Sequence, residues 1–272
     1  MTAWKLDDIA WGEFDAEKVD REYLPIIKAA SVLERNGATY AEYLCGVFHD
    51  DPLFREAVAH WAIEEIQHGN ALGRWAMLAD PGFDHAAACA RFAQGVRVET
   101  RATASVRGSR GGELVARCIV ETATSSYYTA VADAAEEPVL RAICRHIAAD
   151  EFRHYKLFYT HLRRYLGSEA MGRWRRFKVA VDRIVESEDD ELAYAYYAAN
   201  GGDQPYEHAR FSAAYARRAY GVYRLNHVER GAAMIFKAAG LRPQSWLNPL
   251  VARIAWWGMR RRVERLRRAA AA

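Results

Sequence analysis

Apolar residues recur at intervals of three and four along most of the chain. This spacing is typical of helices, and the two-residue alternation that marks a strand is absent from any long segment. The pattern therefore predicts an all-α fold. The predicted helices cover residues 23–48, 52–78, 84–103, 113–135, 136–166 and 169–199, with two or three more helices beyond residue 203.

The segments between these helices contain residues that end helices or form turns. The predicted breaks lie at 49–52, 80–82, 107–112, Gly167, 200–203, Gly240 and Pro243. No low-complexity linker divides the chain, so we predict one domain over residues 1–272. We expect a four-helix core at about 23–166 and a helical extension at about 167–272.

Composition and charge exclude several classes of protein. The formal net charge is only +3, which gives no reason to expect nucleic-acid binding. The four Cys are widely spaced and suggest neither a disulfide framework nor a zinc site. The N-terminus lacks an apolar signal segment, and no run of 18 apolar residues exists. We therefore expect a cytoplasmic protein with no transmembrane segment.

Two Glu-x-x-His motifs interrupt the apolar stripes of the predicted helices 52–78 and 136–166. They are Glu65–His68 and Glu151–His154. Residues three apart lie on one face of a helix, so both side chains of each motif can reach one ion. A buried carboxylate must be paired or bound to metal, because its desolvation is costly. The position of these motifs on apolar stripes therefore favours metal ligands over surface residues.

Each motif has a Glu on the preceding helix, about thirty residues upstream. Glu34 precedes Glu65, and Glu121 precedes Glu151. Glu42 is an alternative to Glu34, although it lies closer to the turn. If the two helices of each pair are antiparallel, the upstream Glu lies at the same height along the bundle as the Glu-x-x-His motif. Together these residues form the ligand set of ferritin-like carboxylate bundles. We therefore predict a ferritin-like four-helix bundle with extra C-terminal helices. Its ligands would hold two iron ions per chain, with manganese or a mixed pair as alternatives.

The segments around these ligands resemble the acyl-carrier-protein desaturases over residues 30 to 165. The run from Ile143 to His154 is similar to the family's I-C-x-x-I-A-A-D-E-x-R-H, and Trp61 to Gly69 is similar to its W-x-x-E-E-x-x-H-G. Residues 121–124 match its E-x-A-T, and Glu34 stands five residues before Thr39-Tyr40. The chain departs from the family at Ile66-Gln67 and Asn70. These differences weaken the inference of the family's substrate more than the inference of its metal site.

The resemblance implies an oxygen-dependent di-iron oxidoreductase that desaturates or hydroxylates an unactivated C–H bond, with an acyl chain as the leading substrate. It implies that Thr124 assists oxygen handling and that Asp150 orients His68. The alternatives are that Thr124 bonds to a carbonyl of its own helix and that Asp150 forms a salt bridge with a nearby Arg. The expected partners are O₂, an electron-donor protein such as a ferredoxin or reductase, an acyl carrier protein and a second copy in a homodimer. The alternatives are an N-oxygenase or other small-molecule oxidase, and a non-catalytic iron-binding protein.

The last predicted helix, from Ile254 to Arg268, is basic and amphipathic. Its apolar stripe comprises Trp256, Met259, Val263 and Leu266. Two interpretations remain open at this point. The helix could bind an acidic carrier protein or an anionic membrane, or it could dock on the domain by this stripe.

Overall fold

The chain folds as an all-α protein. A computed structural model describes residues 4–186 and 190–271, and within these ranges it contains no β-strand. The α-helices are α1 (Leu24–Arg35), α2 (Gly37–Val47), α3 (Pro52–Ala79), α4 (His85–Gly95), α5 (Arg110–Ala134), α6 (Pro138–Ser168), α7 (Arg173–Glu186), α8 (Asp190–Asn200), α9 (His208–Ala219), α10 (Leu225–Ala239) and α11 (Leu247–Ala271). Short 3-10 turns precede α1 and follow α9. None of the described helices has the length and apolarity needed to cross a bilayer.

The long helices begin at side-chain caps. The Asp51 carboxylate accepts a hydrogen bond from the Phe54 N–H at the start of α3. The Glu137 carboxylate accepts from two backbone N–H groups at the start of α6, and the Ser109 hydroxyl accepts from Gly112 at the start of α5. Pro52 and Pro138 follow the first two caps, where a proline costs no helical hydrogen bond. The predicted starts of these helices are therefore correct to within a few residues.

The first long helix is interrupted, so the prediction of one helix over 23–48 was wrong. It ends at Arg35, and α2 begins at Gly37 after the single residue Asn36. Both sides of the junction lie very close to α3. A Cβ on Gly37 would come within 2.5 Å of Glu65 Cβ, and a Cβ on Gly69 would come within 2.5 Å of the Arg35 nitrogen. This close approach requires glycine at both positions and places the chain beside the motif of α3.

Three other predicted boundaries differ from the structure. The connecting helix α4 ends at Gly95, which packs against Tyr194, and the β-branched residues that follow favour extended backbone. Helix α6 continues through the predicted break at Gly167 to Ser168, and the left-handed conformation that follows it belongs to Ala170 (φ 47°). The predicted helix over 169–199 therefore begins only at Arg173. Its middle, residues 187–189, lies outside the described residues.

The helices pack so that one polar layer separates two apolar clusters. Helix α3 packs against α1, α2 and α6, while α5 packs against α6, α7 and α10. One cluster includes Ile27, Leu72, Trp75, Val131 and Ile143, and the other includes Leu44, Phe54, Val58, Leu114 and Phe158. The helical spacing of Leu53, Ala57, Trp61 and Glu65 predicts that these four residues form the buried stripe of α3, and this prediction was wrong at its first position. Leu53 is 64% exposed, whereas Phe54 packs on Phe48 with ring centroids 4.1 Å apart.

Candidate dinuclear metal site

The six predicted ligands meet in the polar layer between the two apolar clusters. They form two overlapping sets, Glu34-Glu65-His68-Glu151 and Glu65-Glu121-Glu151-His154. Within each set, one ligand atom per residue lies within 4.8 Å of every other. Each of the six residues is at most 7% exposed. Glu65 and Glu151 belong to both sets and so lie between the two positions, whereas the alternative residue Glu42 is exposed and belongs to neither set.

The inward-facing atoms of this cluster have no hydrogen-bond partners. His68 Nδ1 lies 3.1 Å from Glu151 Oε1, and His154 Nδ1 lies 3.0 Å from Glu65 Oε1. All four atoms are buried, and none of them makes a hydrogen bond of acceptable geometry. Buried polar atoms in folded proteins are nearly always satisfied. Imidazole nitrogens and carboxylate oxygens that converge without bonding each other suit a cation of the iron, manganese or zinc type.

The outer nitrogen of His68 is held by Asp150, as the resemblance implied. His68 Nε2 lies 3.0 Å from Asp150 Oδ2. The same carboxylate accepts hydrogen bonds from Trp4 Nε1 at 2.7 Å and from Arg153. The Trp4 ring also lies parallel to the His68 imidazole, with centroids 6.1 Å apart. A proton on Nε2 leaves the lone pair of Nδ1 directed into the cluster, which is the tautomer that a metal requires.

His154 has an equivalent partner that the sequence reasoning missed. Its Nε2 lies 2.7 Å from Glu64 Oε2, and Arg153 donates to the other oxygen of Glu64 at 2.7 Å. One arginine therefore bridges the two carboxylates that hold the two imidazoles. A signal for this role exists in the sequence, because an acidic residue directly precedes the glutamate of each motif, Glu64 in one and Asp150 in the other.

Two hydroxyl groups bind the carboxylate ligands. Thr124 Oγ1 lies 2.5 Å from Glu151 Oε2, closer than its own helix carbonyls at 3.2 and 3.3 Å. Tyr128 donates to Glu34 Oε1 at 2.5 Å and is fully buried. No pattern in the sequence predicts this contact of Tyr128. The hydrogen bond joins α5 to α1 across 94 positions of the sequence, which no local pattern reveals.

Burial and charge together set the protonation of the metal-free cluster. Burial raises the pKa of Glu65 well above its usual value and raises that of Glu121 to about 8, and the charge of Glu151 adds to both effects. Burial alone would lower the pKa of each histidine, but the surrounding carboxylates raise the pKa values of His68 and His154 well above 6.5. The same two histidines hold the pKa of Glu151 below its usual range, against the effect of burial. Protons therefore balance part of the negative charge when no metal is bound.

A separate cavity lies outside the polar layer. It has a volume of about 650 Å³ and is lined by residues of α1, α3 and α4, including Arg35, Asn70, Met77 and His85. Asn70 and Met77 follow His68 by two and nine residues, which at 100° per residue places them on roughly the opposite face of α3. This cavity therefore does not contain the ligands.

No protein-family model matches the chain, and no curated protein matches it. The structure itself defines the class as an all-α protein with buried Glu and His residues that could hold metal.

Proposed function

We propose that the chain is a ferritin-like di-iron oxidase that uses O₂ to remove hydrogen from an unactivated C–H bond. The observation that carries this proposal is the set of four buried inward atoms that converge without hydrogen bonds. The resemblance to the acyl-carrier-protein desaturases supports desaturation or hydroxylation of an acyl chain. It also supports an electron-donor protein and an acyl carrier protein as partners, and a homodimer as the assembly.

Each residue of the cluster has a distinct role in binding metal. Glu34 and His68 would hold one ion, Glu121 and His154 would hold the other, and Glu65 and Glu151, which belong to both sets, would contribute to both positions. Four carboxylates balance the charge of two divalent cations, so the loaded layer can be neutral although it is buried. When bound, two iron ions supply the electrons for O₂ reduction and the oxidising power for C–H cleavage.

The surrounding side chains fix protons and exclude water. Asp150 and Glu64 keep the protons of the imidazoles on their outer nitrogens. Thr124 places a hydroxyl proton at Glu151 Oε2, next to the ligand atoms. Trp61 and Phe158 pack on one side of the layer, and Leu72 and Ile147 lie on the other. These apolar walls restrict solvent access to a strong oxidant.

Iron content and oxygen uptake test the proposal directly. Protein purified from iron-replete cells should contain about two iron ions per chain, and Glu151→Ala should lose most of that iron. Glu56→Gln, an exposed acidic residue on α3, is the matched control and should retain it. The anaerobically reduced protein should consume O₂ on mixing.

The outcomes separate the proposal from its alternatives. Iron that binds but does not react with O₂ would favour a non-catalytic iron-binding protein. Oxygen uptake coupled to a small amine, and not to an acyl carrier substrate, would favour an N-oxygenase. A protein without iron, unaffected by Glu151→Ala, would refute the metal site and with it the oxidase.

A further inference from the structure

Helix α11 docks on the domain by the apolar stripe that the sequence predicted. Ala252 and Val263 are buried, and Trp256, Met259 and Leu266 are half-buried. The helix packs against α9 and α10. Of its 25 residues, only two are buried, so most of its surface faces outward.

A second apolar face lies on the opposite side of this helix. It comprises Trp246, Leu247, Leu250, Val251, Ile254 and Trp257, which are between 41% and 75% exposed. The five helical members fall within an arc of about 120° that is centred roughly opposite Ala252 and Val263. Single exposed apolar residues are normal on protein surfaces, but a contiguous face of six large side chains indicates a binding surface. We call these six residues the outer face of α11.

The charge beside this face is strongly positive. Helix α11 contains seven Arg and one Glu, which is more positive charge than the net +3 of the whole chain. The remainder of the chain is therefore net negative, and the net positive charge of the protein comes from this helix. Arg261, Arg265 and Arg268 continue the line of the outer face beyond Trp257, and the Arg261 guanidinium lies 3.9 Å from the Trp257 ring centroid. Arg253 flanks the face, and it forms no ion pair with any described residue.

We propose that the outer face of α11 binds the surface of an anionic lipid bilayer. Trp246 to Trp257 would enter the interface between headgroups and acyl chains, and the Arg residues would contact lipid phosphates. Apolar side chains with tryptophan at both ends and arginine alongside are typical of helices that lie in a membrane surface. The apolar half offers only the indole N–H groups of Trp246 and Trp257 for hydrogen bonding, which is little for the specific recognition of a protein partner. A second copy of α11 would bring seven more arginines and only one glutamate to neutralise them.

Vesicle sedimentation with the full-length protein tests this proposal. The protein should sediment with vesicles of phosphatidylcholine and phosphatidylglycerol, bind vesicles of phosphatidylcholine alone more weakly, and dissociate in high salt. The double variant Ile254→Ser/Trp257→Ser should partition at least about tenfold more weakly, because two large apolar groups no longer enter the interface. Arg261→Glu/Arg265→Glu should lose the preference for phosphatidylglycerol.

Leu53→Ser is the matched control, because Leu53 is a large exposed apolar residue at the start of α3. It should bind vesicles like the wild type, and circular dichroism should show that all variants are folded. Failure of the wild type to bind phosphatidylglycerol vesicles would overturn the proposal, as would an equal loss in Leu53→Ser. A dimer that dissociates in the Ile254→Ser/Trp257→Ser variant while vesicle binding persists would instead assign the face to a second copy. Binding to an acidic protein without binding to vesicles would assign it to that class of partner.

Discussion

Replacing Asp150 with Asn tests whether the carboxylates outside the cluster orient its ligands. The Asp150 side chain accepts hydrogen bonds from His68, Trp4 and Arg153, and the last of these is a charged donor. Asparagine has the same shape but presents one NH₂ group where an acceptor is required. At least one of these donors then faces another donor in a buried site, and the negative charge beside Arg153 is lost.

The size of the effect follows from these contacts. Removing a partner that orients a metal-bound histidine weakens metal binding by roughly 10- to 100-fold. At about 1.4 kcal/mol per tenfold, the loss is about 1.4 to 2.8 kcal/mol of binding free energy at one of the two positions. The metal-free protein should also lose about 1.5 to 3 kcal/mol of stability, the usual range for a hydrogen bond to a charged group.

The stability loss should depend on pH with a defined sign. Burial raises the pKa of Asp150, but the hydrogen bonds from His68 and Arg153 lower it below its ordinary 3.8. The carboxylate therefore stabilises the fold above pH 3.8, and this contribution is lost as the pH falls through the folded pKa. The difference in unfolding free energy between wild type and Asp150→Asn should be full at pH 7 and shrink in strong acid.

The assay is a competition titration of Fe(II) or Co(II) against a chelator, with denaturant unfolding of the metal-free proteins beside it. Glu64→Gln should weaken the position held by His154 by a similar factor, since Glu64 has the equivalent contact. Glu56→Gln, on the exposed side of α3, should change neither quantity. Metal affinity of Asp150→Asn within twofold of wild type would refute the orienting role.

Three other predictions follow from the same geometry. Thr124→Val removes the hydroxyl that donates to Glu151 and should leave the iron content unchanged. The rate of O₂ uptake by the reduced protein, measured by stopped flow, should fall at least about tenfold. Equal rates in the variant and the wild type would exclude a role for the hydroxyl. Gly37→Ala places a Cβ 2.5 Å from Glu65 Cβ and should cost about 1 kcal/mol or more, because overpacking exceeds the gain in helix propensity. Calorimetry should show a lower Tm and weaker metal binding, whereas Gly167→Ala, which has open space, should not be destabilising. Metal uptake at pH 7 should release protons, and metal affinity should rise with pH. A titration in weak buffer should therefore show the pH of the solution fall as metal is added. An unchanged pH would contradict the protonation described for Glu65, Glu121, His68 and His154.

The clustering of the six candidate ligands was predictable because their signals are local and periodic. A Glu and a His three residues apart lie on one helical face whatever the rest of the fold does. The similar spacings of Glu34 from Glu65 and of Glu121 from Glu151, 31 and 30 residues, needed only short connections between antiparallel helices. The structure brings all six residues into one layer, and its fold is all-α as predicted.

The residues that support the ligands were harder to predict because their contacts are distant in sequence. Trp4 reaches Asp150 across 146 positions, and Tyr128 reaches Glu34 across 94. The break at Asn36 depends on how closely the chain packs on α3. The helical periodicity of the residues in α1 and α2 gives no information about that distance. Glu64 is the exception, since its place before Glu65 matches that of Asp150 before Glu151.

The polar layer links stability to metal binding. Helices α3, α5 and α6 each contribute to both apolar clusters, and α1 and α2 together do so on the two sides of Glu34. Packing of the two clusters therefore forces the six residues into a dry layer. Desolvating carboxylates and imidazoles in such a layer opposes folding. The partners Asp150, Glu64, Thr124 and Tyr128 satisfy the outer atoms but leave the inner ones without hydrogen bonds. The apolar packing therefore maintains a preformed site at a cost in stability, and a bound cation would remove that cost by satisfying the atoms that the protein leaves unpaired.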